Sequence, residues 1–544
     1  PITIGFQQGK TVVSQLVTFV ERLGTKLTTP NTQDGLRVAL IGSLDGGVTR
    51  QNDSSTLISN NDRASVAQTI ASLEDLPTTP ITLAIRPEFI EGLDRSTLED
   101  GDLLVRLQST QSLNILSNTY VDVNQALTDQ SESIFTDQLR LGEDTLRRLL
   151  PTYKATRDIW FQQTPLFGGG AQILRNLGVR NVVMLREASQ ETKGAQVDRP
   201  PTSLVELQLP DGGVIDAAFV DVNLSAALTR GSQNPRGGAY LVAQQILAEL
   251  KMLRAELNTN DFSTSDHGVI LSTDSGMLPS TAMLTALRAT LNANSAITFV
   301  SLGDLLSTMT HEIKDGARLT LELAQDSDIP SIGHQLFTQT QERVDAYASM
   351  LTPGDAQAAQ WKDLLSVMSA RTLSSAQRQS YVDAIWLQTF LLGEAISTPT
   401  STTFTLGGRE SSLRISLRND NDYDVRVRVR LTSSKLAFSA AEQVVLLPAG
   451  MTTSIEVPVV AKSNGSFPVS LQLFSPSGNV AVGRSITLTA RVNALAGLGQ
   501  LVTGLALLLL IIWWVFHLRR ASRRKLISPA GPSTATHTHT ASAD

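Results

Sequence analysis

From Leu495 to Phe516 the chain runs 22 residues without a charge, and Gln500 and Thr503 are the polar residues among them. At about 1.5 Å per residue, a helix of that length covers the ~30 Å hydrocarbon core of a bilayer. We therefore expect one transmembrane helix over 495–518, with the lipid bilayer as its partner. Arg519, Arg520, Arg523, Arg524 and Lys525 follow directly, whereas the 20 residues before Leu495 carry only Arg484 and Arg491. Positive charge stays cytoplasmic, so residues 519–544 are expected as a disordered cytoplasmic tail of a single-pass plasma-membrane protein, with the long N-terminal part outside. Trp513 and Trp514, one turn before the arginines, fit the inner interface, where an indole buries its ring and keeps its N–H near water.

The chain opens Pro1-Ile2-Thr3-Ile4 without an initiator Met, so an upstream signal peptide is expected. With no cysteine in 544 residues, disulfides, thiolate metal sites and cysteine nucleophiles are excluded together, which suits a bacterial envelope. Charge divides the exterior. Residues 398–493 hold ten Lys and Arg against six Asp and Glu, and residues 517–544 hold five against one. Since the whole chain carries −6, the first 397 residues hold −14. A body of that sign disfavours nucleic acid, whose binding needs clustered cations.

Residues 398–493 read as an immunoglobulin-like β-sandwich. Leu413, Ile415 and Leu417 alternate with Arg414, Ser416 and Arg418, and Val425, Val427, Val429 and Leu431 alternate with Arg426, Arg428 and Arg430. Period two with one apolar face is a half-buried strand, and about seven such strands separated by turn signals make the sandwich pattern. Residues 303–397, including "LGDLLSTMTHEIKDGARLTLELAQ", carry apolar residues at three- and four-residue spacing and are expected as a helical bundle or flank. "STPTSTTFT" is the linker.

Residues 1–302 alternate short apolar runs with helical stretches. The runs lie at 37–42, 81–86, 113–118, 158–163, 180–185, 216–221, 268–273 and 296–301. Strands alternating with helices predict a parallel sheet, and units this numerous favour a (β/α) barrel-like domain of seven or eight strands, closed or incomplete. "LVELQLPDGGVIDAAFV" reads as an inserted β-hairpin. The whole is a multi-domain α/β plus all-β chain.

In such a barrel the chemistry sits where strands end. Those positions supply Asp45, Arg86, Glu88, Tyr120, Asp122, Trp160, Gln162, Gln163, Asp221, Asn223, Asp274 and Ser275. Asp122 and Asp274, with Glu88, are the candidate catalytic carboxylates, since glycoside hydrolysis needs two carboxyls about 5 to 9.5 Å apart. Trp160, Gln162, Tyr120 and Asp221 are the candidate ligand-binding residues. Aspartates at strand ends also cap the following helix, a structural role that competes with a catalytic one. No metal is expected: His267, His311 and His334 form no closely spaced pair, and His537 and His539 fall in the tail. No G-x-S-x-G motif occurs, "FGGG" at 167–170 lacks the lysine of a P-loop, and no cofactor is expected.

"ITLAIRPEFIEGL", "LNILSNTYVDVNQALTD", "GVILSTDSGMLPSTAMLTALRATLNANSAITFVSLGDLL" and "RNDNDYDVRVRVRL" leading to the C-terminal span together resemble a family of actinobacterial single-pass envelope proteins encoded beside the MurJ-type lipid II flippase. That resemblance implies a cell-wall setting and the flippase or another membrane protein as a partner. The family's proline before the Tyr-x-Asp of the second segment is Thr119 here. The barrel is also distantly similar to those of polysaccharide deacetylases and retaining glycoside hydrolases. The first would need an Asp-His-His set, and the second a carboxylate at the end of the fourth strand, where this chain has Gln162 and Gln163. The expectation is a non-catalytic envelope protein that binds a cell-wall glycan or a membrane partner. The rivals are a glycoside hydrolase with a carboxylate pair, and a scaffold for a polytopic protein with Ala496, Gln500 and Gly504 as a small-residue face.

Overall fold

The computed structural model describes residues 2–18, 35–110, 113–123, 131–154, 156–185, 192–193, 202–233, 238–259, 264–294, 296–324, 334–398, 403–492 and 498–522. Ala496 and residues 523–544, with the basic cluster from Arg523 onward, His537 and His539, lie outside them. The chain divides into two compact units, Pro1–Asp345 with Gly354–Thr389, and Ala346–Pro353 with Phe390–Asp544.

In the first unit all eight apolar runs are strands. In chain order they and their neighbours are β1 (Leu36–Leu44), β2 (Ile81–Ile85), β3 (Leu113–Leu116), β4 (Ile159–Gln162), β5 (Asn181–Met184), β6 (Val205–Gln208), β7 (Val214–Phe219), β8 (Gly268–Leu271), β9 (Ile297–Phe299) and β10 (Thr320–Leu323). They build two half-barrel sheets. One runs β8-β1-β2-β3, with β9 pairing the start of β1; the other runs β4-β5-β7-β6-β10, with the two-residue strand Thr192–Lys193 pairing β10 at its edge. Strands β8, β1, β2 and β3 are mutually parallel, as are β4, β5 and β7. The sheets meet at a parallel bridge between Val220 and Ile270, where the Asp221 N–H donates to the Ile270 carbonyl at 3.2 Å.

Alternation along the strands sorts two cores. Ala39, Ile41, Ala84, Leu116, Phe161, Val183, Ala218 and Ile270, drawn from seven parallel strands, pack into one inner cluster. Leu36, Val38, Leu40, Ile81, Leu83, Val269 and Leu271 face the other way, into a cluster shared with the surrounding helices. Leu302, Leu305 and Leu306 of the short helix Leu302–Thr308 join the inner cluster. Leu305 lies so close to Gly268, the first residue of β8, that a Cβ there would collide with it.

Residues 309–324 correct the helical expectation. Asp315 and Gly316 have φ of 54° and 82°, the left-handed pair of a two-residue hairpin turn. They join Ile313–Lys314 to Ala317–Arg318, and β10 then pairs with β6. The Asp-Gly dipeptide is the sequence signal for this turn, and the edge of β6 supplies the partner that makes 320–323 a strand. Helices follow at His334–Ala348, Ala356–Met368 and Ser375–Glu394. The segment 354–389 belongs to the first unit, tied to it by Tyr381 Oη donating to the Arg50 carbonyl at 2.5 Å and by Asp363 accepting from Arg95 at 3.0 Å.

The second unit holds two sheets. One contains Ile396–Ser397, Glu410–Asn419, Thr452–Ala461 and Leu436–Phe438; the other contains Thr403–Leu406, Ala481–Val492, Gly465–Phe474, Val425–Thr432 and Glu442–Leu447. The predicted alternation holds: Leu413, Ile415, Leu417, Val425, Val427, Val429 and Leu431 are buried. Arg430 meets Glu442 at 2.5 Å, and Arg428 and Arg430 share Asn479 Oδ1, so this arginine row is largely paired. The helix Leu498–Ser522 contains a stretch, Leu501–Arg519, of mean hydropathy 2.4, long and apolar enough to cross a membrane and unburied throughout.

Gly142, in the helix Ser131–Leu149, lets that helix approach the loop after β3: a Cβ there would strike the Asn118 carbonyl oxygen and come within 2.9 Å of Tyr120 N. Gly142→Ala should destabilise the protein by about 1–3 kcal/mol, the usual effect of overpacking a close contact, read as a lower denaturation midpoint.

Candidate functional site

At the C-terminal ends of the parallel strands lies a cavity of about 500 Å³, lined mainly by the segments that follow β1, β2, β3, β4 and β8. Its organising group is Arg86, the residue after β2. The guanidinium donates to Asp45 Oδ2 from Nε (3.2 Å) and Nη2 (3.0 Å), and from Nη1 to Asn118 Oδ1 (2.9 Å) and Thr119 Oγ1 (3.0 Å). One side chain therefore ties together the ends of three neighbouring strands. Arg86 is 8 % exposed. Burial works against its charge, but the facing Asp45 and Asp122, with Glu88, outweigh it and hold its pKa above the ordinary value.

Asp122 lies on the other flank of the same guanidinium, 3.9 Å from Nη2, and accepts a 2.5 Å bond from Arg371 Nε. The Arg371 backbone N–H also donates to the Asp122 carbonyl at 2.7 Å. Arg371 and Thr372 come from the connection between the helices Ala356–Met368 and Ser375–Glu394, so a segment distant in sequence completes the wall. Helix Ser131–Leu149 fixes the Asp122 loop from below: Tyr120 N–H donates to the Gln138 carbonyl at 2.9 Å, and Val121 N–H to Gln138 Oε1 at 3.3 Å.

The other candidates have mostly structural partners. Glu88 lines the cavity, yet its carboxylate accepts from Thr49 N (3.1 Å), Thr49 Oγ1 (2.8 Å) and Arg50 N (2.9 Å). Burial raises its pKa, and those bonds oppose the rise. Tyr120 is buried and donates to Glu91 Oε2 at 2.6 Å; it is not among the lining residues. Burial, reinforced by Glu91 and Glu88, pushes its phenol far above the usual range. Asp221 caps the helix Val222–Gln233, accepting from Asn223 N at 2.9 Å and Leu224 N at 3.0 Å. Asp274 is exposed and does not line the cavity, although its neighbour Ser275 does. The structure thus brings Asp122, Glu88, Trp160 and Gln162 to one cavity and leaves Tyr120, Asp221 and Asp274 off its lining.

Trp160 and Gln162 form a closed pair. The indole N–H donates to Gln162 Oε1 at 2.8 Å, and Gln162 Nε2 donates to the Thr164 carbonyl at 2.9 Å and to Thr164 Oγ1 at 3.0 Å. An indole N–H can only donate, so it sets which end of the carboxamide faces it. A carboxylate in place of Gln162 would point an oxygen at the Thr164 carbonyl. Trp160 is 6 % exposed, its ring 5.6 Å from that of Phe135, which leaves little face for a sugar. Gln163, by contrast, is half-buried and reaches Ser43 Oγ at 3.0 Å across the mouth.

The described histidines do not line this cavity. His267, just before β8 and so at the opposite end of the parallel strands, has Nδ1 2.9 Å from Ser203 Oγ, and burial lowers its pKa. His311 meets Asp216 at 2.8 Å, and with Glu206 these offer ligand atoms within 4.8 Å of one another, a grouping that sequence spacing could not show. Arg318 Nη1 stands 3.0 Å from Glu206 Oε1 and supplies positive charge there.

Residues 269–530, a little under half of the chain, match the sequence model of a family of unknown function (DUF6049). None of the curated proteins matches. Among solved structures, the chain is similar to a 4-alpha-glucanotransferase from Thermococcus litoralis at 11 % identity, covering 81 % of this chain and 87 % of that one, with a TM-score of 0.42. It is similar to a maltose-forming amylase from Pyrococcus at 10 % identity, covering 65 % and 68 %, with a TM-score of 0.37. A PapD-like domain of human CEP192 matches at 12 % identity over 18 % of this chain and 86 % of that one, with a TM-score of 0.14. No activity is carried over from them.

Gln162→Glu should create no hydrolase and should lower stability at neutral pH by about 1–3 kcal/mol, because a buried acceptor replaces a donor facing Thr164. Chemical denaturation and a glycosidase assay check both halves.

Proposed function

We propose that this protein is a membrane-anchored, non-hydrolytic binding protein of the cell envelope whose two half-barrels act as one seven-stranded (β/α) barrel presenting a site for a neutral glycan. The observation that carries this reading is the charge arrangement of the cavity. The lining carries Arg86 and Arg371 together with Asp45, Asp62, Glu88 and Asp122, two more acids than bases. Phosphate- or uronate-bearing polymers are repelled by such a lining. Neutral hydroxyl groups find both donors and acceptors in Asn118, Gln163, Thr164 and Ser275.

Several observations weigh against turnover. A glycosidic general acid needs a carboxyl held protonated near neutral pH, but Asp45 and Asp122 are each in contact with a guanidinium, and Glu88, whose pKa burial raises, has its carboxylate engaged by Thr49 and the Arg50 N–H. At the end of β4 stands a carboxamide with every group engaged. The extracytoplasmic orientation, the immunoglobulin-like character of the second unit and the cell-wall setting belong to this same proposal. They are supported by the arginines after the apolar helix and by the absence of cysteine.

Binding of neutral cell-wall oligosaccharides to the full chain in detergent, followed by calorimetry, should be weakened about tenfold or more by Gln163→Ala, the loss of one to two well-placed hydrogen bonds. The phosphorylated or uronate-bearing counterparts should not bind. Turnover of peptidoglycan or arabinogalactan fragments that disappears in Asp122→Asn would overturn the reading. For orientation, protease added to intact cells should remove the first unit; its protection until the cells are permeabilised would place the protein the other way round.

A further inference from the structure

The second unit has unlike ends. Glu410 pairs with Val460, Gly465 with Val492, and Leu406 with Val492, so these strand termini share one end. The adjoining loops are stitched together there: Ala461 N–H donates to the Arg409 carbonyl at 2.7 Å, and Lys462 N–H to the Lys435 carbonyl at 2.9 Å. Arg409, Lys435, Lys462 and Arg491 therefore gather at this end, all exposed, with Glu410 as the acid among them. Among the described residues these four cations make no ion pair, whereas Arg414, Arg418 and Arg430 elsewhere on the sheets do. At the other end the loop 420–424 carries Asp420, Asp422 and Asp424. The unit is basic at one end and acidic at the other.

The basic end is also the one from which the chain leaves for the apolar helix. Val492 ends the last strand and Leu498 begins the helix, and the intervening five residues span at most about 20 Å in any conformation. Arg491, beside Val492, is thus held within about two Debye lengths of the start of that helix at 0.1 M salt, and the connection is short enough to keep this end of the unit next to the surface the helix enters.

We propose that this end of the unit lies against anionic phospholipid headgroups, through Arg409, Lys435, Lys462 and Arg491, and sets the unit upright on the bilayer with its aspartate loop outward. The proposal rests on the reading that Leu498–Ser522 spans a membrane. It goes beyond that reading because a span fixes only a point of attachment, while four unpaired cations at the root of the unit fix a face. Each cation near an anionic surface adds to the attraction, and salt removes it.

The chain contains no cysteine, so Asn464→Cys gives a single dye position at the basic end and Asp422→Cys one at the acidic end. The full-length protein is reconstituted into neutral phosphatidylcholine vesicles and into vesicles with about one third phosphatidylglycerol, and energy transfer from the dye to a headgroup-labelled lipid is measured. Transfer from position 464 should rise about twofold on the anionic vesicles and return to the neutral value in about 0.5 M salt. Transfer from position 422 should not rise. The triple variant Arg409→Gln, Lys435→Gln, Lys462→Gln should lose the rise while still floating with the vesicles. Equal transfer on both lipids, or a rise that the triple variant keeps, overturns the headgroup contact although the protein floats. A chain that floats with neither vesicle overturns the anchor, and this proposal with it.

Discussion

The central parallel strands of the first unit are buried on both faces, and that constraint shapes the rest of the unit. Every residue of Ile81–Ile85 and of Gly268–Leu271 is buried, as are most of Leu36–Leu44. A polar side chain inside such a strand would lose its water without a partner. Hydrogen-bonding and charged groups are therefore pushed to the strand ends, and at the C-terminal ends they meet. Arg86 illustrates the outcome: a guanidinium buried at the end of one strand is tolerated because the ends of the two strands beside it deliver Asp45, Asn118 and Thr119.

From that network follows the character of the cavity. Asp45 and Asp122 are engaged by guanidiniums, and Glu88 by Thr49 and the Arg50 N–H, before any ligand arrives, so the site is preorganised and these acids are occupied. Catalysis by a carboxylate pair asks for the opposite: two acids in unlike surroundings, one keeping a proton and one not. Recognition asks only for donors and acceptors in fixed places at the rim, and Gln163 beside Ser43 is an example. The closed Trp160–Gln162–Thr164 chain makes the same point at β4.

The second unit follows a different rule. Its strands are buried on one face, so the other face is free to carry charge along its whole length, and the loops at each end are free to differ in sign. Asn419 shows how tightly the interior is still accounted for: fully buried, it donates to the Tyr423 and Leu447 carbonyls at 2.8 and 2.9 Å and accepts from Asn421 N at 3.0 Å.

Local pattern alone disclosed eight strands of the first unit, the alternating strands of the second and the apolar helix. Each depends on residues two to four apart, or on an unbroken apolar run, and burial reads such periods directly. Pattern failed at 309–324, where a helix-like spacing gave way to a hairpin because an Asp-Gly turn and the open edge of β6 were available together. The site was half legible. Asp45, Arg86, Asp122, Trp160, Gln162 and Gln163 stand at strand ends and could be named from position. That Glu88 turns to Thr49, that Tyr120 turns to Glu91, and that Arg371 arrives from 249 residues beyond Asp122 were decided by tertiary packing. Side-chain direction and long-range pairing depend on which groups the fold leaves within reach, and no spacing along the chain records that.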